Sequence, residues 1–260
     1  MTARQAALAI LCLSDPLAKA AQARALFAEL DPDAIDPAEL LEAPTGLPGR
    51  PPLPRLLHAK DIPTRTPFTL LGRAAMLHAV THIEFNAINL ALDAVWRFAG
   101  MPPAYYRDWL RVASEEALHF TLLHAHLQSL GFAYGAFDAH DGLWAMTERT
   151  AHDVTARMAL VPRTLEARGL DAAPPMQAKL RRAGDVRAVE ILDVILRDEV
   201  GHVAIGNHWY RWLCARDGFD PVALYAELTV RYQAPRLRPP FNHAARLAAG
   251  FTDAEIALLT

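Results

Sequence analysis

Four long stretches of the chain repeat apolar residues at helical spacing, and each carries acidic residues on an otherwise apolar stripe. The first runs from Thr69 to about Phe98 and stops at Gly100-Met101-Pro102-Pro103. On its inner stripe Leu77, Val80, Ala87, Ile88, Ala91 and Val95 surround Glu84. The second, from about Ala104 to Leu130, ends at Gly131, and Trp109, Val112, Phe120, Leu123 and Leu127 flank Glu116 and His119. The third, roughly Leu143 to Ala167, is less regular. Its Pro162 is expected to kink it or to free a backbone carbonyl. There Glu166 follows Leu160, Val161 and Leu165, whereas Glu148 shares its stripe with Asp141 and His152. The fourth, about Asp185 to Arg216, sets Glu199 and His202 among Leu192, Ile195, Leu196, Val203 and Tyr210. Gly169 and Pro174-Pro175 are expected to break the chain between the third and fourth stretches, with a short helix from Met176.

Outside these stretches the pattern weakens. Ala6, Ile10, Leu13 and Leu17 recur at helical spacing, and the pattern continues through Lys19 and Arg24 to Leu30, as in one surface helix. Residues 31–67 are rich in proline, which denies regular helix and sheet and predicts an ordered arm lying over the domain. After Asp217 one or two further helices are expected, joined by Arg236 to Pro240, with a terminal helix from Asp253 to Leu259 opened by Thr252. Strand-like alternation is nowhere sustained. The expected fold is all-α: an N-terminal helix and arm over 1–67, a four-helix bundle over 68–216 and a helical extension over 217–260.

The charges on the apolar stripes carry the chemistry. Burying a lone carboxylate is costly, so it must be protonated, paired with a cation or bound to metal. A Glu and a His three positions apart on a helix share a face, with Cβ atoms about 5–6 Å apart, close enough to hold one ion. Glu116 with His119 and Glu199 with His202 both have this spacing. Glu84 precedes Glu116 by 32 positions and Glu166 precedes Glu199 by 33, as in a duplicated helical hairpin. Glu84 and Glu116 lie about 24 and 20 Å from their shared turn, so antiparallel packing brings them level. Four carboxylates and two neutral imidazoles balance two divalent cations, and this donor set suits iron or manganese better than a zinc site built on thiolate. The competing account is a buried polar network in which the histidines bridge carboxylates without metal, and in which Glu166 pairs with Arg163 at the surface. Neighbouring polar residues fit bland roles. Glu115 is expected in solvent, His78 and His82 in the core or at the surface on a displaced face, Asp93, Asp193 and Asp198 on solvated faces, and Tyr106 and Tyr210 in the core.

Composition narrows the classes. The 260 residues are 52% hydrophobic and 21% charged, enough for a sizeable core, and the net charge of -3 gives no basic surplus for nucleic acid. Cys12 and Cys214 form no Cys-x-x-Cys pair, so neither a disulfide framework nor a zinc ribbon is indicated, which suits a cytoplasmic protein. No run of about 18 uncharged apolar residues occurs, so no membrane span is expected.

At Glu84, Glu116-Ala117-Leu118-His119, Glu166 and Glu199-Val200-Gly201-His202 the chain resembles the ferritin-like diiron-carboxylate superfamily. More narrowly, His82-Ile83-Glu84, Tyr106-Arg107-Asp108-Trp109, the 165–171 segment, Asp198 to Val203 and Pro240-Phe241-Asn242 resemble its bacterial domain-of-unknown-function 455 branch, over roughly residues 5–255. The resemblance implies a ferritin-like bundle with Glu84, Glu116, His119, Glu166, Glu199 and His202 as ligands of two metal ions, iron foremost and manganese next. It implies Glu116 and Glu199 as the bridging pair. Relatives of this kind include ferritins, rubrerythrins, tRNA-modifying diiron hydroxylases and manganese catalases. The implied activity is therefore an oxidoreductase using dioxygen or peroxide on a small or macromolecular substrate, served by an electron donor. The alternatives are a ferroxidase or storage protein and a nonenzymatic scaffold.

Overall fold

The computed structural model describes residues 1–259, and their only β structure is an isolated parallel bridge between Leu56 and Ala139. The molecule is all-helical. It divides into two compact units, Met1–Trp144 and Ala145 onward.

In the first unit the chain opens with two helices, α1 (Ala3–Leu11) and α2 (Pro16–Ala28), rather than one surface helix. Asp15 caps α2 and Pro16 occupies its first turn, where a missing N–H costs nothing. Lys19 is fully buried, so this segment has no uniformly solvated polar face; its Nζ donates to the carbonyl of Gly49 and to Asn89 Oδ1. The two long helices follow. Thr69 Oγ1 accepts from Gly72 N to start α3 (Leu70–Arg97), and Pro103 begins α4 (Pro103–Ser129). Gly100 makes the turn between them at φ +76°, a conformation glycine adopts without steric cost. Helices α3 and α4 form the principal pair, with α1 packed on α3 and α2 on α4. Gly49 lies against the end of α1 so closely that a Cβ would fall 2.1 Å from the carbonyl oxygen of Cys12, and Arg50 makes a bidentate pair with Asp141.

The second unit differs from expectation in its third stretch. That stretch is α5 (Gly142–Arg149), which spans the division between units, then α6 (Val154–Leu160) and a π turn (Val161–Glu166). Pro162 has no N–H for an α-helical bond, and Ala167 N donates five residues back to its carbonyl, which is π spacing. The predicted break at Gly169 and Pro174-Pro175 is absent, because α7 runs unbroken from Ala167 to Arg182. The physical reason is a replacement donor. Pro174 cannot supply an N–H to the carbonyl of Leu170, and Asn242 Nδ2 supplies one instead at 3.2 Å. Helix α8 (Val186–Asp217) packs back along α7. Glu166 and Glu199 thus lie about 27 and 22 Å from the turn at Gly184, nearly level, as in the first pair. Then come α9 (Pro221–Arg231), α10 (His243–Ala248) and α11 (Asp253–Ala257), the last opened by a reciprocal Thr252–Glu255 capping box. Among the described residues no helix is long and apolar enough to cross a membrane.

Candidate metal centre

The first unit brings three of the expected ligands together. Glu84 on α3 and Glu116 and His119 on α4 are all buried, Glu116 and His119 completely. His119 Nδ1 faces Glu84 Oε2 at 3.1 Å and Glu116 Oε2 at 3.3 Å, so one nitrogen addresses two carboxylates. One candidate ligand atom from each of the three side chains lies within 4.8 Å of the others. This buried group of glutamate and histidine can hold a metal ion. Two ionised carboxylates at that separation repel by about 3–4 kcal/mol at an effective dielectric near 20, and a cation between them removes the repulsion.

The second unit carries the other Glu-x-x-His pair. Glu199 and His202 are buried on α8, with His202 Nδ1 3.9 Å from Glu199 Oε1, again the nitrogen turned toward the Glu one helical turn back. Glu166, at the end of the π turn, is buried, while Glu148 is exposed. The surface pair of Glu166 with Arg163 in the competing account does not form: Arg163 is buried, and its guanidinium donates to Asn207 Oδ1 and Glu255 Oε1.

The neighbours sort differently from expectation in several places. Asp93 is fully buried and held by Arg97 one turn on, not solvated. Asp193 is exposed and accepts from Gln177, and Asp198 pairs with Arg197. Glu115 is half-buried. The hydroxyls of Tyr106 and Tyr210 donate to the carbonyls of Phe98 and Pro221, which commits both to structure. His78 and His82 are core residues beside Tyr134, whose ring stacks on both and also packs against Phe85 and Phe120, the residues after Glu84 and His119. Burial pushes the His78 pKa down to about 4 and, with the His78, Arg50 and His140 charges adding, that of His82 to about 3. Both are neutral near pH 7. Sequence reasoning missed the grip on Arg163 because Asn207 and Glu255 lie 44 and 92 positions away; the irregular position of Pro162 was its one local signal.

A family model described as Protein of unknown function (DUF455) matches residues 12–257. An uncharacterized protein of Haemophilus influenzae is 52% identical over 213 residues, covering 79% of this chain and 74% of that protein. No solved structure matches.

Proposed function

We propose that the chain, which belongs to the DUF455 family of proteins of unknown function, is a dinuclear metal–carboxylate oxidoreductase with a ferritin-like bundle over 68–216, flanked by the segments 1–67 and 217–260. In this reading Glu84, Glu116 and His119 of the first unit and Glu166, Glu199 and His202 of the second converge on two iron ions, or iron with manganese. The observation that carries it is His119 Nδ1 set between two buried carboxylates. On α8, His202 Nδ1 at 3.9 Å from Glu199 Oε1 one turn back supports the second half.

Two redox-active ions held by these residues would supply electron transfer to dioxygen or peroxide for the oxidation of a substrate, with an external donor restoring the reduced state. The chain's residues do the remaining work. The carboxylates cancel the charge of the ions, the imidazoles occupy fixed positions on α4 and α8, and the Phe85–Phe120–Tyr134 layer excludes water from the α3–α4 side. The hydrogen bonds of His119 also favour a second reading, a polar network that binds no metal.

Metal analysis after anaerobic Fe(II) loading separates the two. Near two ions per chain are expected for the wild type, falling to one or fewer in Glu116→Ala and His202→Ala. A stoichiometry far below one that neither substitution changes overturns the metal reading. Oxygen uptake by the loaded protein that rises with an added organic substrate or reductant supports an oxidoreductase, whereas uptake that stops at a single oxidation of the bound iron identifies a ferroxidase.

A further inference from the structure

The π turn is gripped residue by residue from three directions. Pro162 lies against Gly206 of α8, where a Cβ would fall 2.5 Å from Pro162 Cβ and 2.6 Å from its Cγ. Arg163 Nη1 and Nη2 donate at 2.5 Å each to Asn207 Oδ1, the next residue of α8, and to Glu255 Oε1 on α11. The same guanidinium is enclosed by the rings of Tyr210, Tyr225 and Phe251, at 5.3, 5.2 and 4.7 Å. Thr164 Oγ1 bonds the carbonyl of Ala159, five residues back, and the Tyr225 hydroxyl of α9 at 2.9 Å. Glu255 is in turn held by Arg211 and by the Thr252 backbone N–H.

Three consecutive side chains fixed in this way leave the turn little freedom, and the turn ends at Glu166. A π turn holds one more residue than the α turn it replaces. Reverting to α spacing would therefore rotate the end of the turn by about 100°, one residue's worth of helix, and carry Glu166 to another face. Proline makes the steric contact with Gly206 decisive. Its Cβ and Cγ belong to a ring closed on the backbone, so they cannot swing aside as a flexible side chain would. A methyl group at 206 must push the turn itself.

We infer that Gly206, with the collar of Arg163, Asn207, Tyr225 and Glu255, is a positioning device that sets the π register and so directs the Glu166 carboxylate. This rests on the dinuclear reading of the site. It also gives the C-terminal helices a task, which is to hold the one ligand-bearing segment that is not a plain α-helix.

The test is anaerobic Co(II) titration of the full-length chain, followed by its visible ligand-field absorption. Wild type, Glu166→Gln, Gly206→Ala and Glu255→Gln are compared, each with its thermal midpoint. Gly206→Ala should reproduce the profile of Glu166→Gln: one Co(II) bound as in wild type, and the second bound at least tenfold more weakly with an altered spectrum. Glu255→Gln should shift the second site in the same direction by a smaller factor. If Gly206→Ala does not fold, Glu255→Gln and Thr164→Val carry the comparison. Variants that are merely destabilised, with a lowered midpoint but two Co(II) bound with wild-type affinity and spectrum, overturn the assignment. A wild-type chain that binds no Co(II) overturns the dinuclear reading and the assignment with it.

Discussion

His119 illustrates what a single residue can and cannot reveal. A lone charge on an apolar stripe is legible in one dimension, and Glu84, Glu116 and His119 were readable for that reason: each interrupts a run of residues that turn out to be buried. Lys19 was not readable, because a lysine at helical spacing looks like a solvated face until its partners are known, and Asn89 lies 70 positions away. Its consequence is measurable. Burial first, and the Arg50 charge second, hold the Lys19 pKa down to about 7 from an ordinary 10.5. Above about pH 10.5 the amine is neutral in both folded and unfolded chains, and below about 7 it is protonated in both. Between these limits the unfolded chain carries a proton that the folded chain lacks, so stability rises with pH by up to about 1.4 kcal/mol per unit. Urea denaturation at pH 7.5 and 9.5 should show this rise in wild type and a distinctly flatter response in Lys19→Met. Equal slopes in the two proteins would remove the buried amine as the cause.

At the scale of elements, the sequence located the long helices and misjudged where they break. Pro162 announced an irregularity, and the structure gives it as a π turn. Gly169 and Pro174-Pro175 announced a break that does not occur, since the donor that replaces the proline N–H comes from Asn242, 72 positions from Leu170. Local pattern cannot show a repair made from that distance. The same holds for α11, a five-residue helix too short to persist alone, which is fixed through Glu255. Burial raises the Glu255 pKa, but the Thr252 N–H and the Arg163 and Arg211 guanidinium groups outweigh it and hold the carboxyl below its ordinary range. The pair with Arg163 accordingly contributes stability above the ordinary carboxylate pKa and loses it as pH falls through the lowered one. Glu255→Ala leaves the Arg163 charge buried without its anion and should cost about 3–5 kcal/mol in chemical denaturation, whereas Arg163→Met with Glu255→Met should recover most of that. If the single and double variants are equally unstable, lost packing rather than the stranded charge is responsible.

For the molecule as a whole, the proposed centre makes a demand that neither unit meets alone. Each unit carries a Glu and a Glu-x-x-His pair on its own elements, so ions shared in the proposed centre would link the stability of one unit to ligands in the other. A ligand that binds only the folded state stabilises it by RT ln(1 + [L]/Kd), about 2.7 kcal/mol at a hundredfold excess over Kd, which corresponds to about 100-fold slower exchange of amides that open only with loss of the metal. Hydrogen exchange of α8, followed with and without Fe(II) under anaerobic conditions, reads this link from the second unit. In wild type the amides around Glu199 and His202 should gain protection on loading. Glu116→Ala lies in the first unit and touches no α8 ligand chemistry if the units bind metal separately, so in that case α8 should gain protection as in wild type. If both units hold the same ions, the substitution should abolish most of the gain, and Glu199→Ala should likewise reduce the metal-dependent protection of α4 around Glu116 and His119. Reciprocity is the decisive feature, because a coupling free energy must be the same read from either side. Protection of α8 that survives Glu116→Ala in full would leave two independent half-sites and end the dinuclear proposal.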